Sequence, residues 1–347
     1  MNAQEITKNV LTGKAASGLP LVDSFGRQHR SLRISVTDRC NIRCQYCMPE
    51  VATFLNSEKL LSFDQIAEFV RTVVPLGIRE VRITGGEPLM RPGLDRLLRQ
   101  LSTISELDGI ALTTNGMLLA DQIEALVAAG LRRVNISLDT LSEPVFKRLS
   151  RRDGLDQVLA GIEAATAYSQ LKIRLNALVM RDINFAEVLD LVEFARRRSI
   201  PLRFIEFMPL DAERAWNREQ MVSGSEMRRR ISDRFGPLIP LPRDDPSQPA
   251  IDYRFADTSG LIGFIDSVSQ PFCGACDRLR LTADGKLRNC LFGRQEWDLR
   301  PLLLNSPTSR EPVMALVRAC LAAKRAAHGI DDGDFAPPER AMFQIGG

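Results

Sequence analysis

The sequence predicts an α/β protein: a partial (β/α)6 TIM-like barrel followed by a C-terminal domain. Three observations carry this. β-rich runs and segments with helical apolar spacing alternate from about residue 31 to 208, the pattern of βα units on a parallel sheet. Six such units follow one another, which favours a barrel or part of one over an open, doubly wound sheet. A Pro-rich stretch over 236–249 then ends the rhythm, and short strand-like runs follow it. A chain of 347 residues has room for roughly two domains. The expected partition is an N-terminal extension over 1–28, the barrel over 29–240 and the C-terminal domain over 241–347.

The six strands are expected at 32–36, 80–84, 110–114, 133–138, 172–179 and 202–207, and helices at 63–74, 94–104, 118–129, 155–167 and 185–198. A barrel keeps its chemistry at the carboxyl ends of its strands, and each end here carries something special. The first strand runs into a cysteine loop, and the second into Thr84-Gly85-Gly86-Glu87-Pro88, where two glycines permit close approach of backbone to a ligand. Thr113-Thr114-Asn115-Gly116 follows the third strand and Ser137-Leu138-Asp139 ends the fourth. Asn176 lies in the fifth and Met208 ends the sixth. Any one of these could be a helix cap or a turn; together they outline a site. Past the linker, strands are expected at 261–265, 279–282 and 287–291, the last two joined by an Ala283-Asp284-Gly285 hairpin. A helix over 312–327 and a polar tail ending in Gly346-Gly347 complete the chain.

Hydrophobic residues make up 44% of the chain and charged ones 26%, which excludes disordered, collagenous and fibrous classes. A net charge of +3 is too mild to argue for a nucleic-acid or membrane partner. The basic charge is 39 Arg against 7 Lys, so a single Arg carries weight only through its position. Residues 1–20 lack the apolar run of a secretory signal and no Arg precedes Arg27. No apolar stretch approaches the roughly 20 residues of a membrane span. These points predict a cytoplasmic protein, where clustered cysteines bind metal or do redox chemistry rather than form disulfides.

The chain has seven Cys and only two His, His29 and His328. Six cysteines form two groups of three: Cys40-x3-Cys44-x2-Cys47 after the first strand, and Cys273-x2-Cys276 with Cys290 further on. Cys320 stands alone in an apolar helical run and reads as a buried core thiol. Structural zinc takes four ligands, and each group supplies three; His29 and His328 could complete them, though neither stands at finger-like spacing. Cysteine ligation of iron–sulfur clusters is the favoured alternative, with three thiolates on four irons leaving one iron open for a small molecule.

The first group, with an aromatic (Tyr46) before its last cysteine and a location after the first barrel strand, resembles the radical S-adenosylmethionine superfamily. The Gly85-Gly86-Glu87-Pro88 loop is similar to that superfamily's GGEP loop, which holds the methionyl amino group. The second group, as Cys273-x2-Cys276-Asp-Arg278-Leu-Arg280 with Cys290 and the terminal Gly346-Gly347, narrows this. It resembles the GTP 3′,8-cyclase family of molybdenum cofactor biosynthesis, over nearly the whole chain from about Arg33 onward.

The resemblance implies that Cys40, Cys44 and Cys47 hold a [4Fe–4S] cluster that splits S-adenosylmethionine to a 5′-deoxyadenosyl radical. It implies that Cys273, Cys276 and Cys290 hold a second [4Fe–4S] cluster whose open iron binds guanine. Tyr46, Gly86, Ser137 and Met208 match contacts to S-adenosylmethionine. Arg33, Arg82, Thr113, Arg278 and Arg280 match contacts to GTP, joined by Arg203 and by Arg174. At the last position the family often has Lys, and a guanidinium reaches and pairs differently from an ammonium. Arg278, Arg280, Gly346 and Gly347 carry an implied catalytic role, the tail reaching back into the active site. The implied reaction removes the ribose 3′ hydrogen of GTP, joins C3′ to C8 and yields 3′,8-cyclo-7,8-dihydro-GTP. A low-potential electron donor, a downstream cyclic pyranopterin monophosphate synthase and a homodimer are further family expectations. The nearest rival is a peptide-modifying radical S-adenosylmethionine maturase, which usually carries more C-terminal cysteines than these; the non-enzymatic rival is a zinc-stabilised binding module.

Overall fold

Six strands lie side by side in chain order, all parallel: β1 (Ser31–Ser35), β2 (Glu80–Thr84), β3 (Gly109–Thr114), β4 (Arg133–Ser137), β5 (Lys172–Val179) and β6 (Leu202–Glu206). They are seen in a computed structural model that describes residues 19–257, 260–304 and 310–347. Of the expected N-terminal extension, 1–18 lie outside the described residues. A helix returns the chain after each strand: α1 (Phe63–Val73), α2 (Leu94–Ser102), α3 (Leu119–Ala128), α4 (Glu143–Ser150) with α5 (Leu155–Thr166), α6 (Val188–Arg197) and α7 (Gly224–Phe235).

Local sequence accounts for these helices. Ser62 and Gln65 form a capping box at the start of α1, which buries Ile66, Phe69, Val70 and Val73 at helical spacing. In α2, Leu94, Leu97, Leu98 and Leu101 make the same stripe. These faces pack on the outward strand residues, among them Leu32, Ile34, Val81, Ile83, Val134, Ile136, Leu202 and Phe204, all buried.

The chain beyond residue 237 extends the same sheet at both edges. β7 (Leu238–Pro240), β8 (Ile251–Phe255) and β9 (Leu261–Ile265) form a meander whose last strand pairs parallel with β6. β10 (Arg278–Leu281) crosses to the other side and pairs parallel with β1, followed by antiparallel β11 (Lys286–Arg288) and β12 (Trp297–Asp298). The twelve strands run β12-β11-β10-β1-β2-β3-β4-β5-β6-β9-β8-β7 without closing, so the barrel is partial. α8 (Arg300–Leu304), α9 (Glu311–Ala322) and the short α10 (Met342–Ile345) complete it.

Several elements depart from the sequence expectation. α4 and α7 arise in segments with no expected helix; α7 buries only Gly224, Met227 and Ile231, too few apolar positions to show a periodicity. The Pro-rich linker contains β7, which Pro240 can end because it lies on a sheet edge. The helix expected over 312–327 stops at Ala322. Cys320 is fully buried in the core, as expected of a spare thiol.

Candidate active site

Parallel strands covered on both faces are usually apolar throughout. Here only the outward face is. The inward positions carry Arg33, Arg82, Thr113, Asn135, Arg174, Asn176 and Arg203, and they line a cavity of about 620 Å³. Strand register sets their neighbours. Arg280 of β10 stands opposite Arg33 of β1, and Arg33 opposite Arg82 of β2, three guanidinium-bearing positions in one row at the roughly 4.8 Å spacing of strands. A second row runs Thr113, Asn135, Arg174 across β3 to β5, and Asn176 stands opposite Arg203.

Like charges side by side in a buried row destabilise one another. Burial and the neighbouring Arg280, Arg278 and Arg82 hold the Arg33 guanidinium well below its ordinary pKa. Burial, then Arg278, brings Arg280 down to about 9; burial, then other arginines, brings Arg82 and Arg174 to about 10. The Nε atoms of Arg33, Arg174 and Arg278 are buried without a hydrogen-bond partner. Such a wall calls for a polyanion, and a guanidinium fork suits phosphate oxygens. Arg203 differs, since Asp252 holds it at 3.1 and 2.7 Å.

At the far end of the same cavity the charge reverses. The loop after β1 is tied to the end of α4 by Arg43 N–H to the Ser150 carbonyl (2.7 Å) and Gln45 N–H to the Leu149 carbonyl (3.0 Å). This fixes Cys40, Cys44 and Cys47 at the strand tops. Glu87 is buried beneath them, accepting from Leu89 N–H (3.0 Å), the Thr114 hydroxyl (2.8 Å) and Asn115 N–H (2.7 Å). Burial raises its pKa to about 7. Asp139, pushed up to about 6 by burial, accepts from the Tyr46 hydroxyl at 2.7 Å. Burial and Glu87 push the Cys40 thiol up to about 11; burial, then Asp139 and the neighbouring thiols, raise Cys44, and burial, then Cys40, raise Cys47. Thiols and carboxylates crowded in this way need a cationic centre to ionise, which an iron–sulfur cluster and a sulfonium compound would supply.

Gly86 explains how the second loop fits. A Cβ there would lie 2.5 Å from the Arg39 carbonyl oxygen and 2.6 Å from that of Asp38, so the glycine lets the β2 loop pack on the backbone of the cysteine loop.

The second trio faces the first across the cavity because β10 pairs with β1. Burial works against the Cys276 thiolate, but Arg278 and Lys324 outweigh it and bring this thiol down to about 6. Arg278 donates to the Cys276 sulfur at 3.4 Å and lies over the Phe272 ring. Structural zinc takes four ligands, and each trio offers three. Among the described residues no three His, Cys, Asp or Glu side chains converge tightly enough for one ion. His29 is buried against Asp23 at 3.1 Å. His328 Nε2 faces the Ser267 carbonyl at 3.0 Å, while its Nδ1 accepts from Ile330 N–H.

The tail reaches the same place. Arg280 donates to the Gly346 carbonyl, and the Thr84 hydroxyl to the Gly347 oxygen at 3.2 Å. Gly346 has φ +71, and a Cβ on it would crowd Thr84 and Ser35 at 3.0 and 3.1 Å. Of the site residues named from sequence, every one but Gly346 lies on the cavity wall, including Ser137 and Met208. Sequence reasoning missed Asp252, Lys324 and Arg27, whose partners lie far along the chain and leave no local signal.

Residues 34–195 match the model of the radical SAM superfamily, and residues 200–330 that of Molybdenum Cofactor Synthesis C. A GTP 3′,8-cyclase of Rhodopirellula baltica is 49% identical over 95% of this chain and 92% of its own length. The chain belongs to the GTP 3′,8-cyclase family. It is an enzyme of the radical S-adenosylmethionine type. Another member, a GTP 3′,8-cyclase of Streptomyces coelicolor, is 43% identical over 94% of this chain and 96% of its own. Among solved structures, SuiB of Streptococcus suis bound to the precursor peptide SuiA has a TM-score of 0.60 at 14% identity, covering 94% of this chain and 76% of that one. That likeness supports the radical S-adenosylmethionine fold of a partial barrel. Among the described residues no helix is long and apolar enough to cross a membrane.

Proposed function

We propose that the protein converts GTP to (8S)-3′,8-cyclo-7,8-dihydroguanosine 5′-triphosphate in molybdenum cofactor biosynthesis, using the two poles of this cavity for separate tasks. The observation that carries the reading is the in-register row Arg280, Arg33, Arg82 facing a carboxylate-lined trio of thiols in one enclosure. When bound, a [4Fe–4S] cluster on Cys40, Cys44 and Cys47 with S-adenosylmethionine supplies the radical that removes the ribose 3′ hydrogen, and a second cluster on Cys273, Cys276 and Cys290 supplies an open iron for guanine.

The protein's own groups do the rest by placement. Tyr46, Gly86, Ser137 and Met208 ring the place for S-adenosylmethionine, with Asp139 orienting the Tyr46 hydroxyl. Arg33, Arg82, Arg174, Arg278 and Arg280 pair the roughly four negative charges of the triphosphate, and Thr113 adds a hydroxyl beside Arg82. Arg203 joins them only as phosphate competes with Asp252. The tail at Gly346 and Gly347 steers Arg280, and its lack of side chains leaves room for the substrate. Holding C3′ near the radical source and C8 near C3′ is catalysis by positioning.

The same reading makes residues 241–347 the unit that carries the second cluster. It also entails a low-potential electron donor, a cyclic pyranopterin monophosphate synthase that consumes the product, a homodimer and a cytoplasmic setting. The test is anaerobic incubation with S-adenosylmethionine, a reductant and each nucleoside triphosphate in turn. 5′-Deoxyadenosine and a cyclised nucleotide isomeric with its parent are expected with GTP alone. Turnover with a peptide and none with GTP would replace this reading by the maturase, and zinc without labile sulfide by a binding module.

A further inference from the structure

Lys324 follows α9 and is 5% exposed. Its ammonium donates to the Cys276 sulfur (3.4 Å), the Arg278 carbonyl (3.1 Å) and the Asn289 carbonyl (2.8 Å). Among the described residues none of its hydrogen bonds ends on a carboxylate. A buried ammonium is costly without anionic neighbours; Asp277 acts on it through space, and among the described residues the Cys276 sulfur is the one ionisable group it donates to.

The surrounding chain braces the same loop. Asn289, next to Cys290, donates to the Cys320 carbonyl at 2.7 Å. Arg27 reaches in from the N-terminal turn and donates to the carbonyls of Cys273 (2.7 Å), Ala326 (3.0 Å) and Arg325 (2.8 Å). Asp23 holds Arg27 in turn, at 2.6 Å. All three cysteines of the second trio are thereby tied to residues 320–326, and Lys324 is the one charged group of that bracket touching a sulfur.

We propose that Lys324 is a positioning residue of the second cluster site, where its buried ammonium fixes the Cys276 thiolate and sets the charge felt by the cluster. The inference rests on the reading that this trio holds a [4Fe–4S] cluster. Reduction potentials of such clusters follow net charge and hydrogen bonds to the sulfurs. Losing a cation at one ligand makes the reduced, more negative form harder to reach.

The full-length protein is reconstituted anaerobically as wild type, Lys324→Gln, Lys324→Met and Lys324→Arg. Iron and labile sulfide per chain are measured, and each cluster is titrated potentiometrically by its own paramagnetic signal. Gln can still donate to the two carbonyls but is neutral, so the second cluster should move to a more negative potential while the first stays put. Met should also lose second-cluster iron, and Arg should return the potential toward wild type. A wild-type potential and iron content in the Gln and Met variants would overturn the assignment. So would loss of both clusters together, which would make Lys324 a general scaffold group. Wild type carrying one cluster only would instead bring down the two-cluster reading, and this inference with it.

Discussion

At one end of the cavity Cys40, Cys44 and Cys47 stand over the buried carboxylates of Glu87 and Asp139; at the other, Cys276 stands against Arg278 and Lys324. Both trios offer three thiols, yet all three of the first are pushed up, whereas in the second burial pushes Cys273 up and Arg278 with Lys324 brings Cys276 down. The difference matches the ligands each must take. In the function proposed above, S-adenosylmethionine would bring a sulfonium and an amino group to the carboxylate pole, and GTP a triphosphate to the arginine pole. Identical ligand counts therefore serve different chemistry through the charge of the surrounding wall.

The largest expected effect breaks the first pole outright. Cys44→Ala should reduce both S-adenosylmethionine cleavage and cyclisation to background, measured as 5′-deoxyadenosine and cyclised product in the same reaction. Next, Cys273→Ser should abolish cyclisation while sparing much of the reductive cleavage; equal loss of both would argue that the poles do not work separately. Arg280→Gln removes one charge from the row and its bond to the Gly346 carbonyl. A charged hydrogen bond contributes about 1.5–3 kcal/mol, so the KM for GTP should rise roughly 10- to 100-fold, with cleavage of S-adenosylmethionine less affected. An unchanged KM would remove Arg280 from the phosphate wall.

The smallest effect concerns the brace behind the second pole. Burial alone would raise the Asp23 pKa, but hydrogen bonds from His29, Arg27 and backbone N–H groups overcome it and hold the carboxyl well below its ordinary value of 3.8. A depressed carboxyl stabilises the fold above its ordinary value, and that contribution is lost as pH falls through the folded-state value. Wild-type Tm should therefore drop on acidification below about pH 4 more steeply than that of Asp23→Asn. The variant should start from a lower Tm at neutral pH, since Arg27 loses its partner. Parallel Tm curves for the two would show that Asp23 does not carry the acid sensitivity.

Much of this was legible in the chain. The strands at 80–84 and 172–179 lie where their β-rich runs put them, and the other four of the six are within a residue at either end. The special loops sit at the strand ends because a βα repeat places them there. α7 was hidden by its charge, with Arg228, Arg229, Arg230 and Arg234 in a twelve-residue helix. β8 was hidden beside a Pro-rich stretch that reads as linker. Asp252, which claims Arg203, lies 49 residues further along, and no periodicity reports such a pairing.

What the sequence by itself determined is the kind of chemistry: two thiol trios, a glycine loop and arginines on strands, each set by residue type and local spacing. Tertiary structure alone decided that these face one another. β10 leaves the end of a meander on β6 and pairs with β1 at the opposite side of the sheet. That single non-local pairing aligns Arg280 with Arg33 and Arg82 and sets the second trio opposite the first. Local propensity specifies a strand but not its partner, because pairing register depends on burying one face against distant chain.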